Sequence, residues 1–189
     1  GLCLVGSEMC IRDRQRTIKN EVSAVGVGLH SGEKVKLTLS PATEDHGIVF
    51  QREDIKLQPK LKINPLAITE TRLCTTLGKQ DFSFATIEHL MSALSATGVD
   101  NVLIKMDGPE VPIMDGSAIS FIHLIKSAII LEQNKAKEFV VINDVIEVVD
   151  KDKFARFEPY NGFVIDFTID FLHPACLLYT SDAADELCR

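Results

Sequence analysis

TIEHLMSALSATGVDNVLIKM, residues 86–106, is the stretch on which the fold turns. Ile87, Leu90, Met91 and Leu94 fall at i, i+3, i+4 and i+7, which predicts a helix over 86–96 with one apolar face. Gly98 is the stop signal. Residues 101–106 then predict a buried strand. Upstream, the Val-rich run 17–29 enters Gly26-Val27-Gly28-Leu29-His30-Ser31-Gly32, and 35–39 alternate as a half-buried strand. A turn at 30–33 separates the two, and 47–51 predict a further short strand. Pro59 and Pro65 limit the weakly patterned segment 52–80 to short edge strands, one of them around Cys74.

Downstream, Asp107-Gly108-Pro109 turns the chain, and Ser117 predicts the cap of a second helix running to about Glu132. Its apolar set is Ile119, Ile122, Ile125 and Ile129. The polar stretch 132–138 reads as a linker, after which the pattern is strand only. Residues 153–157 and 163–171 predict a hairpin through Asn161-Gly162. The expected fold class is α+β, a two-layer sandwich of a mixed or antiparallel sheet with two helices. The first domain spans 15–131 with a small insert at about 52–80, and the first strands of a second, similar domain occupy 139–175.

The chain has 189 residues, 46% hydrophobic and 25% charged, within the globular range. Its net charge of −7 and its lack of Trp count against a nucleic-acid footprint. No apolar run reaches the length of a membrane span. Four of the five cysteines, Cys3, Cys10, Cys176 and Cys188, lie near the ends, unlike a disulfide scaffold, and a reducing cytoplasmic compartment is expected. A DNA string encoding Met9 to Asp13 supplies, as its reverse complement in a shifted frame, codons for Leu177 to Thr180. Segments 1–14 and 176–189 are therefore expected to be adaptor-derived tails flanking a fragment.

Glu88-His89 is the constellation with the most chemistry. A histidine beside an apolar helical stripe can be a satisfied core residue. It can also be a metal ligand, with the neighbouring carboxylate taking a proton from water. Catalytic zinc takes three protein ligands, and no histidine here has a ligand four residues on: His30, His46, His89, His123 and His173 are followed at that spacing by Lys34, Phe50, Ala93, Ser127 and Leu177. The glycine-rich run 26–32 lacks Rossmann spacing and the P-loop Lys, and reads as a tight hairpin. Asp115-Gly116-Ser117 reads as turn and cap chemistry, and Cys74 as a small core residue.

Four strings occur in order and spacing: 26–32, Thr86-Ile87-Glu88-His89-Leu90, Pro112-Ile113-Met114-Asp115-Gly116-Ser117-Ala118, and Asp166-Phe167-Thr168-Ile169-Asp170-Phe171. Together they resemble the UDP-3-O-acyl-N-acetylglucosamine deacetylases, zinc enzymes of lipid A synthesis in Gram-negative bacteria. The resemblance implies two α+β domains with the active site between them. It implies Zn2+ as cofactor, His89 as metal ligand and Glu88 as catalytic general base. The remaining ligands, a His-x-x-x-Asp pair on a second-domain helix, and the histidine that protonates the leaving amine have no counterpart here. The implied partners are a UDP-linked acylated glucosamine and the missing second domain, with no nucleic acid and no integral membrane segment. The fragment alone is expected to be inactive and to expose Ile87, Leu90 and the helix at 117–131 as an apolar face. Two rivals stay open: a non-catalytic α+β binding module, and the deacetylase half of a fusion with a downstream acyl dehydratase.

Overall fold

The computed structural model describes residues 14–79 and 82–168, in two compact units, one ending at Glu138 and the other starting at Phe139. The first unit is built on a five-stranded sheet. Its strands are β2 (Val22–Val27), β3 (Lys34–Pro41), β4 (Ile48–Arg52), β5 (Lys60–Lys62) and β9 (Val102–Met106), in the order β2-β3-β9-β4-β5. Every pairing is antiparallel except β4 with β9. Parallel neighbours need a long crossover, which here carries the insert and helix α1 (Glu88–Thr97). The insert contributes β6 (Ile68–Glu70), β7 (Thr76–Lys79) and β8 (Phe82–Phe84), a small antiparallel sheet. Phe84 ties it to the main sheet, its ring centroid 5.1 Å from that of Phe50.

The core lies between the sheet and two helices, α1 and α2 (Ile119–Ser127), which pack against each other. Val35, Leu37 and Leu39 of β3 and Val102, Ile104 and Met106 of β9 are buried at alternate positions, as a strand with one inward face requires. Leu90 and Leu94 of α1 and Phe121 and Ile125 of α2 close the other layer. The mixed α+β architecture agrees with the expected fold class. Gly98 ends α1 with φ 69°, and the next amide, Val99 N–H, bonds back to the Leu94 carbonyl at 3.0 Å.

Several expectations are corrected. The second helix stops at Ser127, five residues before the expected Glu132: Ile129 adopts φ 63° and β10 (Ile130–Ala136) begins. A short isoleucine run fits helical and strand periods alike, and pairing with β1 (Arg14–Ile18) decides for the strand. The expected linker at 132–138 is therefore mostly strand. Its polar character suits a ribbon held by side-chain hydrogen bonds: the buried Asn101 donates from Nδ2 to Gln15 and to Gln133, at 2.8 and 2.7 Å. Ile87 and Leu90 are 2% and 0% exposed, so they belong to this unit's own core and not to an exposed face. Ile119 of α2 does remain half exposed.

In the second unit, β11 (Ile146–Asp150) and β12 (Lys153–Phe157) form a hairpin turning at Lys151-Asp152, with Lys151 at φ 59°. The hairpin expected through Asn161-Gly162 does not form among the described residues; 158–168 join no ladder. The two-residue turn at Lys151-Asp152, with its left-handed first position, joins two in-register strands directly. Arg14, placed with the N-terminal tail in sequence, is the first ladder residue of β1, opposite Ala136. The other tail residues and the end of the string 166–171 lie outside the described residues.

Candidate functional site

Glu88 and His89 are the first two residues of α1, whose N-cap, Ile87, offers no side-chain cap. The backbone of the insert aims the carboxylate. Thr75 N–H donates to Glu88 Oε1, while Ile87 N–H donates to the Thr75 carbonyl at 3.4 Å. Glu88 Oε2 and His89 Nδ1 are buried and have no protein hydrogen-bond partner. An unpaired buried polar atom costs about 1–3 kcal/mol. Two on adjacent residues mark a place built for something other than this chain's own side chains. A cavity of about 330 Å³ adjoins, with Thr75 and Glu88 in a wall otherwise made of Ile63, Pro65, Ile68, Ile87 and Met91. His89 itself is half-buried and not wholly enclosed by the core.

A second carboxylate organises the segment leading into α1. Glu110 is 2% exposed. Its Oε1 accepts from the Thr86 hydroxyl at 2.8 Å and from His30 N–H at 3.0 Å, and its Oε2 from Ser31 N–H at 2.8 Å. Burial acts to raise its pKa, but the His30 and Ser31 amides and the Ser31 and Thr86 hydroxyls outweigh it and hold the group at about 2. Backbone bonds fasten the same place: Ala85 N–H to the Pro109 carbonyl at 2.8 Å and Val111 N–H to the Ala85 carbonyl at 3.0 Å. Thr86 sits at φ 56°, uncommon for a β-branched residue. Gly28 lets the turn come this close, because a Cβ would stand 2.2 Å from Ser31 Oγ and 2.4 Å from Glu110 Oε2, and those side chains would have to shift.

Thus the strings at 26–32 and 86–90, separate in sequence, meet at one buried carboxylate, and the string at 112–118 joins the first of them. Ile113 N–H bonds to the Val27 carbonyl at 3.0 Å, completing the junction. Glu110 was not singled out by sequence reasoning. The available signal was an acidic residue in Pro109-Glu110-Val111-Pro112, a run otherwise apolar. The other candidates fall outside this centre. His123 is exposed, and His46 Nδ1 lies 3.0 Å from the Gly47 carbonyl. Cys74 is half-buried beside the Thr76 hydroxyl. Asp115 takes the Ser117 amide and hydroxyl, as expected of a turn. Among the described residues, no three His, Cys, Asp or Glu side chains gather closely enough to hold a metal, so His89 is a single candidate ligand.

Residues 15–183 match the family of UDP-3-O-acyl N-acetylglycosamine deacetylases. The chain belongs to this deacetylase family. The match runs past Ala175 into the segment read in sequence as a tail. A UDP-3-O-acyl-N-acetylglucosamine deacetylase of Xanthomonas campestris pv. campestris (strain B100) is 52% identical over 161 residues, covering 85% of this chain and 53% of the relative. The enzyme of the same name from Haemophilus influenzae (strain PittEE) is 50% identical over 163 residues, covering 86% and 53%. This deacetylase-family chain spans about half the length of the curated relatives it matches. Its Glu88-His89 pair and its Glu110 junction lie inside the matched region. No helix among the described residues is long and apolar enough to cross a membrane.

Proposed function

We propose that this chain is the first half of a cytoplasmic, zinc-dependent deacetylase. The whole protein would remove the N-acetyl group from a UDP-linked, 3-O-acylated N-acetylglucosamine in lipid A biosynthesis. The observation that carries the reading is the adjacent pair of buried, unpartnered atoms, Glu88 Oε2 and His89 Nδ1, at the start of α1 and within the family match. They fit the donor set the reaction needs: an imidazole to hold the ion and a carboxylate beside it. When bound, zinc supplies Lewis-acid polarisation of the acetamide carbonyl and makes water more acidic.

The chain's own residues do the rest. Thr75 N–H occupies Glu88 Oε1, so Oε2 is the atom left to take a proton from the attacking water. Water's oxygen forms a bond to the acetyl carbon, the C–N bond breaks, and acetate and a free amine leave. The apolar wall of Ile63, Ile68, Ile87 and Met91 limits water around Glu88. With one candidate ligand among the described residues, the remaining ligands and the acid for the leaving amine belong to the rest of the protein. The 189-residue chain alone is expected to be inactive.

The test uses the full-length protein that carries this sequence, assayed for acetate release from UDP-3-O-acyl-N-acetylglucosamine, with metal content measured in parallel. Glu88→Gln is expected to lower the rate by about 10²- to 10⁴-fold while zinc is retained. His89→Ala is expected to lose zinc. A full rate with Glu88→Gln removes Glu88 as base, and full zinc occupancy with His89→Ala removes His89 as ligand.

A further inference from the structure

We propose that Glu110 is a positioning residue for the Glu88-His89 pair: its carboxylate locks the left-handed Thr86 and the His30-Ser31 turn together, and so sets the backbone from which α1 presents both side chains. The inference rests on the reading of Glu88 and His89 as the working pair. It stands on geometry that a surface carboxylate lacks. Glu110 is 2% exposed, yet its two oxygens accept three different donors from two separate segments at 2.8–3.0 Å.

One of those donors is the hydroxyl of Thr86, two residues before Glu88. A left-handed threonine is strained and persists only where its surroundings over-determine it. The over-determination is visible. Ala85 is bonded on both sides to the strand-like segment around Glu110, and Thr86 Oγ1 is tied to the Glu110 side chain. On the far side, Ile87 N–H and Glu88 Oε1 are tied to Thr75. Residues 85–88 are therefore clamped at each end, by Glu110 on one side and the insert on the other. Without the Glu110 anchor, Thr86 is free to return to negative φ, and the first turn of α1 re-aims. The depressed pKa of Glu110 keeps this anchor charged across the neutral range.

The glycines agree. The turn can approach the carboxylate only because Gly28 has no Cβ, and β2 can approach 111–114 only because a Cβ on Gly26 would stand 2.8 Å from Pro112 Cβ. Neither glycine has a positive φ to accommodate, so what each contributes is the missing Cβ and the close backbone approach that it allows.

The test uses three variants in the full-length protein: Glu110→Gln, which keeps the shape but presents an amide to the donors; Thr86→Val, which keeps the shape but removes the hydroxyl; and Thr86→Ser, which keeps it. Rates are taken per folded, zinc-loaded molecule. Glu110→Gln and Thr86→Val are expected to lower kcat about 10- to 100-fold with little change in KM, and Thr86→Ser to stay close to the parent. A purely structural role would lower the melting temperature and leave kcat per folded molecule intact, and that result overturns the proposal. If Glu110→Gln does not fold, Thr86→Val decides. If the unmodified full-length protein shows no deacetylation, the functional reading has failed, and positioning is then read in the 189-residue chain. There, amide exchange at 85–89 should be about tenfold faster in Thr86→Val than in Thr86→Ser, with β3 unaffected. Equal exchange in the two variants overturns the positioning claim by itself.

Discussion

Glu110 also governs how the first unit responds to acid. Its folded pKa of about 2 lies below the ordinary 4.5, so the unfolded chain takes up the proton first as pH falls. The stabilisation is complete above about pH 4.5 and is lost progressively toward pH 2. Urea unfolding of the parent and of Glu110→Gln should therefore differ most near neutrality. The difference should shrink by on the order of 2 kcal/mol by pH 3; a gap independent of pH would mean that the Glu110 carboxyl titrates alike in the folded and the unfolded chain. Gly28→Ala is expected to cost about 1–3 kcal/mol by the same measurement, because the new methyl meets the pinned Glu110 oxygen and the Ser31 hydroxyl.

At the scale of elements, α2 separates burial from periodicity. Ile125 is fully buried and Ile119 is 49% exposed, although both belong to the same predicted stripe. Ile125→Ala should destabilise the first unit by about 2–5 kcal/mol, while Ile119→Ala should stay within about 0.5 kcal/mol. The helix end makes a different prediction. Ile129 is 52% exposed and held at φ 63°, which a β-branched residue resists. Asparagine tolerates that conformation, so Ile129→Asn should raise the unfolding midpoint. The gain is expected to be about 0.5–1 kcal/mol in chemical denaturation. A loss of stability would show that the half-buried side chain matters more than the backbone.

At the scale of the whole molecule, the two units differ in what they bury. The first encloses a continuous core of β3, β9, α1 and α2 side chains. In the second, every residue of β11 and β12 is exposed, including Val148, Val149, Phe154 and Phe157. A two-stranded hairpin with no covered face is marginal in water. Amides of 146–157 should exchange within the dead time of a hydrogen-exchange experiment, while those of β3 and β9 stay protected. Protection of the hairpin equal to that of β9 would show a core that the described residues do not contain. Exposed apolar side chains on this scale also favour association.

What the amino-acid order determined by itself was local. The period of 86–96, the stop at Gly98 and the alternation of 35–39 are properties of neighbouring residues, and they carried α1, its end and β3. The pairing of an acid with an imidazole at Glu88-His89 was equally local. Tertiary structure decided what depends on partners far along the chain. The isoleucine run after Ser127 became strand because β1 supplied its ladder. The polar stretch 132–138 was ordered because Asn101 reached Gln133. Ile87 and Leu90 were covered because the unit's own sheet lay beneath them. Glu110 acquired its place for the same reason. A carboxylate becomes an anchor only when donors from residues 30, 31 and 86 arrive around it, and no spacing within 109–112 encodes that arrival.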